Sequence, residues 1–482
     1  MKKKMITVSL AICAFFGARA EETEYVYFTG EGGIHNWTAA EMRRNIKKNP
    51  EITSYQSPFT NALSWSDRLL PHYGPTYVAE PTNGITVLQT PFDNVDHSGF
   101  KTLVLRGGIK LFVFQQGGLI ASFNDLRVYE SAEIQSSDNE GSTSLGGMIT
   151  VDEDAKLTFR CFQSRNFFVD SEIRGSGLLI FNAEATTSSC GAPHFLRGMN
   201  TNFYGKIQVR SPSKRTDNLH TILSITNEFA LGGVLNNFTY DAVNLTRLGE
   251  LSYRGTSNLV LSKLTNRGVS IGVQDGLISV NAESGVLTLN CPITLGGATL
   301  QKRGAGRLVL GSALRFTSVA EATSDNPEDS KEVPVSPGSH CFDVREGSLS
   351  MTHCDALNGA KIAFSNNTEM VMSIDITDGD MKRYGMKCDK IDEPFATDMP
   401  IKLVESEKGC LSESKYSVAI ATVKAEYAET AKAKLSVMLE DVNNYRLVGM
   451  RYVANEKENE EDPVTVTFYA DILHNGLVIS VR

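Results

Sequence analysis

Apolar and polar residues alternate in short runs along most of the chain, and Gly, Asn, Asp and Ser separate the runs. Period-two alternation sends successive side chains to opposite faces of a strand, so each run predicts a β-strand with one face in a core and one in water. The clearest run is Gly285 to Leu295, where Leu287, Leu289, Cys291, Ile293 and Leu295 share one parity and Thr288, Asn290, Pro292 and Thr294 the other. Shorter runs occur at Leu103/Leu105, Leu157/Phe159/Cys161, Ile207/Val209, Leu349/Met351, Ile362/Phe364 and Val464/Val466/Phe468. Helix-forming composition is confined to Thr38 to Lys48 and Ala425 to Glu440, too little to supply the helical crossovers of an α/β domain. The choice narrows to antiparallel sandwiches in tandem or a solenoid.

Internal similarity favours the solenoid. Ile173-Arg-Gly-Ser-Gly-Leu-Leu-Ile-Phe181, Leu300-Gln-Lys-Arg-Gly-Ala-Gly-Arg-Leu-Val-Leu-Gly311 and the weaker Val344-Arg-Glu-Gly-Ser-Leu-Ser-Met351 share one plan. Each reads as a strand end, a Gly-containing tight turn and an alternating strand. Gly suits a corner between coils because it tolerates positive φ and close backbone approach. After the corner, Leu308 and Leu310 are expected to point inward and Arg307 and Val309 outward.

The segment Gly296 to Leu314 closely resembles the autotransporter-associated β-strand repeat, whose pattern is G-x-L-x-K-x-G-x-G-x-L-x-L-x-G. Leu300, Lys302, Gly304, Gly306, Leu308, Leu310 and Gly311 fill its positions, with a slightly shortened end. Ser171 to Phe181 with Gly198 to Val209, and His340 to Met370, look like flanking phrases of the same secreted proteins, so the resemblance spans roughly Phe100 to Met370. It implies an all-β fold, a right-handed parallel β-helix in the envelope of a Gram-negative bacterium, with surface, adhesive or undefined roles. The likeness stops at the C-terminus, where too little chain follows Met370 for the membrane barrel of a true autotransporter.

The first twenty residues add a compartment. Lys2 to Lys4, the apolar run Met5 to Phe16 and Ala18-Arg19-Ala20 match the charged, apolar and small-x-small parts of a signal peptide, so a secreted, cell-surface or periplasmic chain is expected. No later segment reaches the roughly 18 apolar residues of a membrane helix. Residues 21–100, with Trp37, Trp65 and several prolines, read as an N-terminal cap; 101–370 read as the solenoid and 371–482 as a small C-terminal β-rich cap. Ser318 to Pro337, polar and acidic, reads as a loop leaving the coil. A net charge of -9 without a basic stripe argues against nucleic acid as a partner, and leaves surface glycans or other envelope proteins.

Candidate chemistry is sparse. Asp375-Ile-Thr-Asp-Gly-Asp380 is the densest acidic loop but misses the calcium-loop register, so a polar turn is expected there and at Asp152, Glu153 and Asp154. His340-Cys341 and His353-Cys354 carry zinc-capable types at a spacing that fits no zinc template. Gly304-Ala-Gly306 lacks the third glycine of a phosphate loop. Cys161 and Cys291 fall in phase with inward residues and read as buried thiols, while Cys341 with Cys354, or Cys388 with Cys410, are candidates for bridges. The expectation is a non-enzymatic adhesive or structural protein without cofactor or metal; a glycan-binding module and a polysaccharide-active β-helix enzyme are the alternatives.

Overall fold

The computed structural model describes residues 25–27, 29, 75–82, 87–89, 101–113, 120–136, 142–162, 166–184, 192–211, 220–272, 275–296, 299–316, 318–319, 332–333, 341–353, 356–357, 361–364, 368–377, 380–382, 386–387, 398–405, 411, 413–440, 442, 444–457 and 464–475. Strands dominate, and nearly all pair in parallel with the strand one coil earlier and one coil later, which makes the chain a parallel β-solenoid. Antiparallel sandwiches are thereby excluded as the main architecture.

Three parallel sheets wrap the core. The first is 14-stranded and begins at Tyr25–Tyr27 and Thr76–Ala79, inside the segment expected as a cap, and ends at Lys361–Phe364. The second is 10-stranded, from Val87–Gln89 to Arg315–Phe316. The third is 8-stranded and appears only at Asn258–Leu261, so among the described residues the coils before it contribute to two sheets and those from there to Phe316 to three. It runs past residue 370 through Met399–Glu405 and Leu435–Leu439.

Coil length follows from register. Leu103 pairs with Leu126 and Leu126 with Ile149, 23 residues each time. Lys302 pairs with Val344, 42 residues on. Ser318–Val319 and Glu332–Val333, within the segment expected as a loop, pair in antiparallel fashion.

The core is one continuous column of inward residues. Leu103, Leu126, Ile149, Leu223, Leu251, Ile278 and Phe342 all lie at zero exposure within it. Early in the column Phe159 stacks on Phe181 at 5.1 Å, with Phe167 edge-on to Phe159 at 6.0 Å. Cys161 and Cys291 are thiols buried in it, and burial pushes both up to about 12. They are inert apolar fillers at neutral pH. Cys354, Cys388 and Cys410 lie outside the described residues, as does the helix expected at Thr38 to Lys48.

Two expectations need correction. Gly285 to Leu295 is not one strand: Val286–Leu289 belongs to the third sheet and Ile293–Leu295 to the second, with a corner at Asn290, Cys291 and Pro292. Alternation survives the corner because the corner residue Cys291 also points into the shared core. The helix expected over Ala425 to Glu440 is a 3-10 turn at Ala425–Tyr427 and a short α-helix at Ala428–Lys434. Leu435–Leu439 instead extends the third sheet in register with Met399–Leu403, where ladder pairing and burial of Leu435 outweigh helix propensity.

Beyond the coils, Lys415–Lys424, Thr465–His474 and Tyr445–Ala454 form an antiparallel sheet joined by Met386–Lys387. Val418, Ile420, Phe468 and Ile472 bury its inner face against the same core. The Asp375 to Asp380 segment is a tight hairpin, Asp375 opposite Lys382 and Thr377 opposite Asp380. Asp152, Glu153 and Asp154 form the turn after Val151, as expected of a polar turn.

Candidate functional site

The predicted repeat residues come together at one corner between the first and third sheets. Leu300 lies in the first sheet opposite Gly276, and Leu308 and Leu310 lie in the third opposite Leu287 and Leu289; all three are buried in the core. Val309, expected outside, does lie on the outer parity but is only 8% exposed, packed between Thr288 and Ser350 of adjacent coils. Gly304 has φ +79, and a Cβ there would sit 2.4 Å from the Val280 carbonyl oxygen. Gly347 of the next coil repeats this with φ +66, as Gly175 does earlier with φ +95. The three related segments thus share a left-handed corner glycine that closes on the coil beneath.

Lys302 is the unusual member. It stands in register with Ile278 and Val344, which makes it an inward residue, and it is fully buried. Its Nζ donates to the carbonyl oxygens of Gly304 (2.5 Å), Gly306 (2.5 Å) and Glu346 (2.7 Å). The ammonium therefore ties its own corner to the next coil's, and all three of its protons are used. Burial pulls the group down to about 8, opposed by the nearby Glu346 carboxylate. Glu346 in turn accepts from the Gly304 N–H at 2.7 Å.

A second inward cation does the same work between the first and second sheets. Arg267 is buried, and its Nε, Nη1 and Nη2 donate to the carbonyls of Gly233 (2.9 Å), Gly205 (2.9 Å) and Phe203 (2.7 Å). Asn200, also buried, accepts from the Ile173 N–H and donates to the Ala230 carbonyl, linking coils on either side. These side chains supply donors to corner carbonyls, two of which, those of Phe203 and Gly306, also accept a main-chain N–H.

The outer face of the first sheet carries polar groups that engage each other. Asp125 with Arg127, Glu172 with Arg174 and Asp343 with Arg345 are ion pairs two residues apart on one strand face. Arg197 makes a bidentate pair with Asp170 and also lies over the Phe168 ring, while Arg254 lies over Phe195. Phe168 and Phe195 stack on each other at 4.7 Å, so this aromatic pair is engaged from within the protein. Higher up, buried Glu250 accepts from His220 Nε2 at 2.5 Å and from the Ser279 hydroxyl. Burial raises the Glu250 carboxyl, yet His220, Ser279 and Arg303 outweigh it and hold the group below the ordinary carboxylate range. The carboxylate, not the histidine, is central, which is the reverse of the order that activates a serine nucleophile.

One open groove, of about 590 Å³, lies outside the Lys302 corner. Glu283, Ser284 and Val286 line one end, Ala305, Arg307, Gly347 and Ser348 the middle, and Thr368 and Pro400 the other end. Register puts Val286, Arg307, Ser348 and Glu369 side by side on successive coils, with Pro400 following. Sequence reading missed this groove and the Glu250 group because their members come from different coils, and no local motif marks them. Among the described residues no three His, Cys, Asp or Glu side chains are grouped to hold a metal ion, and no helix is long and apolar enough to cross a membrane. His353 lies in a bend after Ser348–Met351.

No family model, no curated protein and no solved structure matches the chain.

Proposed function

We propose that the chain is a non-enzymatic, secreted or envelope-located β-solenoid, passenger-like in the sense of the autotransporter-associated repeat, that serves as an adhesive or structural surface element. The observation that carries this reading is how its buried cations are used: Lys302 and Arg267 spend every described bond on main-chain carbonyls of stacked corners. Such groups reinforce a long coil and do not face a substrate. The basic-apolar-small pattern of residues 2–20 supports export from the cytoplasm.

Cell fractionation with surface-protease shaving, scored against a periplasmic control, tests the reading. Shaving of the native protein from intact cells is expected. Protection equal to that of the periplasmic control would contradict a surface role. A second reading, a glycan-binding module, draws on the groove beside the Lys302 corner, whose polar lining differs from the paired charges of the first sheet.

A further inference from the structure

We propose that the groove over the third-sheet corner binds a neutral, hydroxyl-rich glycan chain lying along the solenoid axis. The proposal deepens the glycan-binding reading and rests on it. Three observations carry it.

The first is unspent polarity. Four arginines along the first sheet are paired, Arg106 with Glu80, Arg127 with Asp125, Arg174 with Glu172 and Arg345 with Asp343. Among the described residues, by contrast, the Glu283 and Arg307 side chains and the Ser284 and Ser348 hydroxyls have no hydrogen-bond or ion-pair partner. One carboxylate, one guanidinium and two hydroxyls supply donors and acceptors with no net charge, which suits sugar hydroxyls better than carboxylates or sulfates.

The second is direction and spacing. The lining residues are contributed by successive coils, from Val286 through Arg307 and Ser348 to Pro400. Steps of about 4.8 Å make the groove about 19 Å long. That step is close to the advance of one sugar unit in an extended chain, so successive units meet the groups of successive coils.

The third is what the groove withholds from a peptide. Strand addition needs an open ladder edge, but the strands beneath the groove are paired on both sides, as Arg307–Leu310 is between Val286–Leu289 and Ser348–Met351. Apolar anchoring is limited to Val286 and Pro400. The floor is held in shape by the Lys302 corner directly behind it, which preorganises the site.

Isothermal titration of the purified mature chain with neutral oligosaccharides, acidic oligosaccharides and extended peptides tests the proposal. Neutral chains are expected to bind, with affinity rising up to about four sugar units, the length the groove accommodates. Arg307→Ala is expected to weaken binding about tenfold or more, since it removes a charged donor. Ala305→Tyr, at an exposed position, is expected to abolish binding by filling the groove while leaving the melting curve unchanged. Silence across the neutral panel, preference for acidic chains or peptides, or parental binding by both variants would overturn it. Because the assay uses purified protein, its failure is separate from that of the surface role: a periplasmic chain that binds loses only its location, and a surface chain that does not bind loses only its ligand.

Discussion

Replacing Lys302 by Met keeps the stem and removes the three donors that join Gly304, Gly306 and Glu346. Two opposing effects set the magnitude. Hydrogen bonds from a charged donor are worth about 1.5–3 kcal/mol each, so three are worth about 5–9 kcal/mol. Removing the ammonium also relieves its burial; the fall from 10.5 to about 8 corresponds to about 3 kcal/mol of desolvation. The bonds win, and Lys302→Met is expected to destabilise the protein by about 2–6 kcal/mol. Solenoid coils interact with their neighbours only, so the damage is local. Hydrogen exchange should accelerate at the amides of residues 300–310 and 341–351 and stay parental near residues 103–128. The group also leaves a pH signature. Its folded-state value lies below its unfolded one, so unfolding takes up a proton between about pH 8 and 10.5 and this group's contribution to stability rises with pH across that window. Urea denaturation of parent and variant, compared at pH 7 and pH 10.5, measures both effects. A variant within about 0.5 kcal/mol of the parent at pH 7, or uniform exchange along the chain, would refute the stapling role.

Further outcomes are expected from other sites. Gly347→Ala places a Cβ 2.5 Å from the Gly304 and Gly306 carbonyl oxygens at φ +66, and should lower the urea midpoint by more than the same change at Gly449, whose Cβ would meet nothing. Cys161 and Cys291, buried with thiols raised to about 12, should resist iodoacetamide in the native state and label fully in urea, read by peptide mass spectrometry. Glu250 has a folded value below its unfolded one, so its contribution is present above the ordinary carboxylate range and is lost as pH falls through the depressed value. Glu250→Gln should flatten that acid limb of the stability profile, and an unchanged limb would remove the His220–Glu250–Ser279 group from the account.

Much of the fold is legible in the residues themselves. Alternation locates the strands because one solenoid core lies on the inner side of every sheet, and even a corner such as Asn290 to Pro292 keeps the phase by turning Cys291 inward. The corner glycines are legible for a related reason, since Gly175, Gly304 and Gly347 occupy backbone regions that other residues avoid. The change from two sheets to three at Asn258 is not legible, because it depends on how far each coil's path extends before the next corner. Nor is the inward direction of Lys302: a lysine amid alternating residues reads as solvent-facing until the carbonyls of Gly306 and Glu346 are seen around it. Leu435 to Leu439 misled for a third reason, because its local composition suits a helix while the free ladder at Met399–Glu405 offers a strand partner from outside the segment.

Every feature described, from the stapled corners to the axial groove, depends on coils stacked in register, and electron–electron distance measurement between spin labels tests that stacking most directly. Ser122 stands in one column with Thr226 and Asn281, four and six coils further on, and Glu346 lies eight coils on, one residue out of that column. Label pairs from position 122 to each are expected to report separations rising linearly, at about 19, 29 and 38 Å. Distances that plateau, or that fail to follow the order of the coils, would contradict the solenoid and with it the proposed scaffold and groove.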